Sequence, residues 1–173
     1  MGPVTTQFAR LDPGPSQTFG VAAALVAAVG AVLVVLAFTR VNWFTGATSS
    51  DPAHFGNIRA LLDTSGGSAA TLAKAYFDWL GWALLVVAVL SAILAAVPTV
   101  GAAFRVIGPV VALGAVVLTF LAIQLLKSGI TADHALSSYG DYLKNARLGF
   151  YLALAGFVLI GFGAALGPQH KRS

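Results

Sequence analysis

Cysteine and glutamate are both missing from this chain, and its one methionine is the first residue. Without cysteine there is no disulfide, no thiol nucleophile and no thiolate metal site. Charge of either sign is scarce. Asp, Lys and Arg make up 9% of the 173 residues, where soluble domains carry about 25%. No charged residue interrupts any of the four long apolar runs. Proton relays, voltage sensors and ion-coupled transporters place ionisable groups at membrane depth, and here those groups are lacking. There is no GxGxxG or P-loop for nucleotides, no HExxH for zinc and no GxSxG elbow for acyl transfer. The ten basic residues are scattered singly except for Lys171-Arg172. That leaves no basic patch to track phosphates, so no nucleic acid partner is expected.

What remains is hydrophobic: 58% of residues are apolar and the mean hydropathy is +0.86. Four runs reach the roughly 20 residues that a helix needs to cross a bilayer: 19–38, 79–97, 106–126 and 148–166. They lack the in-out alternation of β-barrel strands. The expected fold is all-α, an integral membrane four-helix bundle with two extracytoplasmic loops, 39–78 and 127–147, that contain short helices. Residues 1–18, with three prolines, read as a flexible tail, and 167–173 as a short C-terminal one. The first run has no small-x-small cleavage site after it and is read as a retained span rather than a signal peptide. Basic residues are denser on the segments that share a side with the termini. This places both termini in the cytoplasm and the protein in the inner (plasma) membrane.

Within the first loop, Asp51-Pro52 has the form of a helix start, an Asp cap followed by proline. Phe55, Ile58, Leu61 and Leu62 then share one face, and Gly66-Gly67 ends that helix. Ser68 opens a second helix that should continue unbroken into the second span. Pro109 is placed in the first turn of the third span, where its missing N–H costs little. Asp78, in AYFDWLGW, falls at the boundary of water and lipid, where it can bond to lipid-bound water or to Lys74 one turn back.

Trp43, Phe44, Phe55, Tyr76, Asp78, Trp79, Trp82 and Tyr139 are expected at the outer interface, against lipid or a partner protein. Small residues recur at helical spacing; these rows are read first as packing the four helices against each other, and the surplus, with Gly149, Ala153 and Gly156, as a surface for docking a partner helix. Polar side chains inside the runs are limited to Ser91, Thr119, Gln124 and Tyr151. These are read as helix-packing groups, or as the sparse lining of a small homo-oligomeric transporter or channel. His54, His134 and His170 lie outside the runs, so no bis-His haem site is possible within the bundle. Asp51, His54, Asp133 and His134 could meet across the loops as a metal or enzymatic site, but no motif supports it. The expectation is therefore no catalytic residue, no metal and no cofactor.

The Ala- and Val-rich runs, the helix-bearing first loop, the short hairpin PTVGAAFR and the closing RLGFYLALAGFVLIGFGAAL resemble the small four-span membrane proteins of high-GC actinobacteria. Among these are the LucB-type accessory subunits of mycobacterial Mce-type lipid importers. The resemblance implies a non-catalytic subunit of a larger membrane complex, held to a permease-like partner within the lipid bilayer. It carries over no catalytic residue.

Overall fold

The computed structural model describes residues 18–45, 52–63, 68–97, 99–129 and 146–166. The two tails, Asp51, Gly66-Gly67, Tyr139 and the helix expected in the second loop lie outside the described residues. Within them the chain forms α1 (Thr18–Thr39), β1 (Asn42–Thr45), β2 (Pro52–His54), α2 (Phe55–Asp63), α3 (Ser68–Ala75), one π-helical turn (Tyr76–Leu80), α4 (Gly81–Ala95), α5 (Gly101–Gly129) and α6 (Leu148–Ala165). Four segments are long and apolar enough to cross a membrane: Val21–Thr39, Thr71–Ala95, Gly101–Leu126 and Leu148–Ala165. This is a multi-pass, membrane-embedded helical bundle.

Two expected helix starts are corrected. Pro52 opens a strand, not a helix. It pairs antiparallel with Thr45, while Asn42 pairs with His54, and α2 begins only at Phe55. Proline has no N–H to give a ladder, so the first residue of an edge strand suits it as well as the first turn of a helix. The long-range pairing decides between them. The third span begins at Gly101, so Pro109 lies inside α5. There it leaves the Arg105 carbonyl without its usual helical donor.

The long second helix forms as expected, with α3 running through the π turn into α4. Its buried small residues Ala73, Gly81, Ala88 and Ala95 are separated by eight, seven and seven positions. A seven-residue repeat keeps one face of a helix on its neighbour, and an eighth residue would rotate that face away. The π turn falls inside the eight-residue interval and absorbs the extra residue.

The same repeat holds the bundle together. On α5 the buried positions include the series Gly108, Ala112, Ala115, Thr119, Ala122 and Leu126, spaced alternately four and three apart, with Ile123 beside it. On α6, Gly149, Gly156 and Gly163 recur every seven residues; Gly156 and Gly163 meet α1 running the other way, and Gly149 meets the 41–43 segment that follows it. A Cβ on Gly163 would fall 2.7 Å from the Ala23 carbonyl oxygen, and one on Gly156 would fall 2.6 Å from that of Gly30. Lipid tails are as apolar as the side chains, so close backbone approach supplies the packing that the hydrophobic effect does not.

One end of the bundle carries the start of α1, the end of α6 and the 96–101 hairpin, and is called here the terminal end. The opposite end is covered by the β1–β2 hairpin, α2 and α3, and is called the cap end. The hairpin is tied down at the start of α6, where Phe44 bridges Ala146 and the Arg147 N–H donates to the Trp43 carbonyl at 2.8 Å.

Candidate functional site

The cap is built around Trp43, which is fully buried. Its indole N–H donates to the Ala37 carbonyl at 2.7 Å, satisfying an acceptor that the end of α1 would leave open. The ring lies 5.1 Å from Phe55. It meets Phe77 edge-on at 5.9 Å and Phe150 at 6.1 Å. Phe38 stacks on Phe55 at 4.2 Å. These edge-to-face and offset contacts are the favoured geometries for aromatic rings, and together they seal the cap end.

This corrects half of the expected outer interface. Trp43, Phe44, Phe55 and Tyr76 are buried inside the chain and offer nothing to a partner. Composition alone cannot separate aromatics that anchor in lipid from aromatics that fold over a bundle end, because both need large apolar rings near a polar boundary. Trp79 at 58% exposure and Trp82 at 36% remain on the surface. Phe38, Phe77 and Phe150 complete the cluster. Phe38 and Phe150 blend into apolar runs and Phe77 stands beside Tyr76 and Trp79, so local pattern does not single them out.

The expected pairing of Asp78 with Lys74 is also corrected. Asp78 accepts from Arg59 of α2 at 2.6 Å, and Lys74 pairs with Asp63 of the same helix. A neighbouring element has displaced the partner one turn away. Both pairs tie α2 to the long helix, and both are exposed enough for water to screen them, so each contributes little to stability. The hydrogen bond from Lys74 holds the Asp63 carboxyl below its ordinary value of 3.8.

Gly149, Ala153 and Gly156 are buried within the bundle. A Cβ on Gly149 would fall 2.7 Å from the Trp43 ring, and Gly156 is pressed against Gly30 and Val34. Gly156 docks on α1 of the same chain, and Gly149 on the 41–43 segment that follows it, as the packing reading of the small-residue rows expects. The signal for this is the seven-residue spacing that Gly149 and Gly156 share with Gly163.

Nor do the polar side chains in the spans form a path. The Ser91 hydroxyl donates to the Val87 carbonyl at 2.8 Å. The Thr119 hydroxyl donates to the Ala115 carbonyl at 2.7 Å. With that proton committed, the Tyr76 hydroxyl is the donor in its 2.6 Å bond to Thr119. Gln124 and Tyr151 are exposed on the outside of the bundle. Among the described residues there is also no group of three His, Asp, Glu or Cys side chains able to hold a metal. His54 faces Asn42 across the hairpin, while Asp51, Asp133 and His134 lie outside the described residues.

The bundle has one further feature, a groove of about 330 Å3 between α1 and α4, lined almost wholly by alanine. Comparison with known protein families, characterised proteins and solved structures finds no match to this chain.

Proposed function

We propose that this protein is a non-catalytic accessory subunit of a larger inner-membrane assembly that handles lipid or envelope substrates, stabilising it by contact within the bilayer. Both termini would lie in the cytoplasm, and the aromatic cap would face the extracytoplasmic side. The observation that carries this reading is how the interior is filled. Small residues bring the four helices into backbone contact, aromatic rings close the cap end, and the buried hydroxyls are spent on bonds within the chain. A bundle packed in this way is suited to holding a shape against a neighbour.

The surface left for a partner differs from the one that the glycine rows suggested. It comprises the ridge of exposed Val21, Leu25, Val29 and Val32 on α1, together with Leu72 and Trp79 on the outward face of the cap. A permease-like helix would pack its side chains between those of the α1 ridge. The test is purification of the tagged chain from native membranes in mild detergent, with the co-purifying proteins identified by mass spectrometry. A transporter subunit recovered in fixed proportion is the expected result. Recovery of this chain alone at monomer mass, with every candidate transporter intact in a deletion strain, refutes the proposal.

A further inference from the structure

We draw no further inference here: the strongest candidate, the alanine-lined groove between α1 and α4, is a stripe of small residues, and nothing in the structure shows what covers it.

Discussion

Replacing Gly156 with alanine adds one methyl group at the tightest point of the α1–α6 seam. The new Cβ would fall 2.6 Å from the Gly30 carbonyl oxygen and 3.1 Å from the Val34 nitrogen. Ordinary contact begins at 3.4 Å, so the two backbones must part by close to 1 Å. The Val34 Cγ2, at 2.5 Å, is also in the way, but rotating that side chain does not relieve the clash, because the Gly30 oxygen and the Val34 nitrogen belong to the main chain of α1. A gap of that size forfeits a quarter to a half of the dispersion energy of each pair it separates. Gly163 and Gly149 hold the seam at either end, so the separation spreads to both. The expected destabilisation is about 1–3 kcal/mol, the usual range for overpacking. It is measured by unfolding the purified protein with SDS in mixed micelles, following the tryptophan fluorescence of the cap. Gly114→Ala is the control. Nothing lies within 4 Å of its added Cβ, and alanine favours a helix over glycine by up to about 1 kcal/mol. If G156A is as stable as G114A, backbone contact does not hold this bundle together, and the reading of the glycine spacing is wrong.

Trp43→Phe should cost about 1–3 kcal/mol in the same assay, because it leaves the buried Ala37 carbonyl without a donor; a change below the error of the measurement would remove that bond from the account. Tyr76→Phe removes the donor to Thr119 and should cost about 0.6 kcal/mol, the average for hydrogen bonds between membrane helices, with a Tyr76→Phe/Thr119→Val cycle showing a coupling of similar size. The pair Asp63–Lys74 makes the hold of α2 on the long helix sensitive to acid. Because the folded carboxyl titrates below its ordinary 3.8, its contribution is present above that pH and is lost as pH falls through the lowered value. The protection of α2 against hydrogen exchange, taken relative to the intrinsic rate at each pH, should therefore fall in acid for wild type and show a flatter pH dependence in D63N; identical profiles would refute the coupling. High salt should weaken both rim pairs, seen as faster exchange of α2 with no change in α5.

The helices were readable from local pattern because each must satisfy its own backbone in lipid and must be long enough to cross. The face of α2 was readable for a related reason: Phe55, Ile58 and Leu62, at helical spacing, are all buried. The continuity of α3 into α4 followed from the lack of any breaker between Ser68 and Ala95. The candidate surfaces were harder to see. Trp43 and Phe44 look the same in the sequence whether they anchor in lipid or plug a bundle, and Asp78 has a plausible partner at Lys74 until α2 brings Arg59 closer.

Composition and run length thus settle that this is a helical membrane protein of four spans with no ionised group deep in its runs, because bilayer thickness and backbone hydrogen bonding impose those features on any chain. The tertiary structure decided which small residues face which helix, which aromatics are buried and where α1 and α4 part to leave a groove. Those outcomes depend on pairings between residues distant along the chain, such as Gly163 with Ala23, Pro52 with Thr45 and Arg59 with Asp78. In each case local spacing allowed more than one partner, and packing in three dimensions selected one.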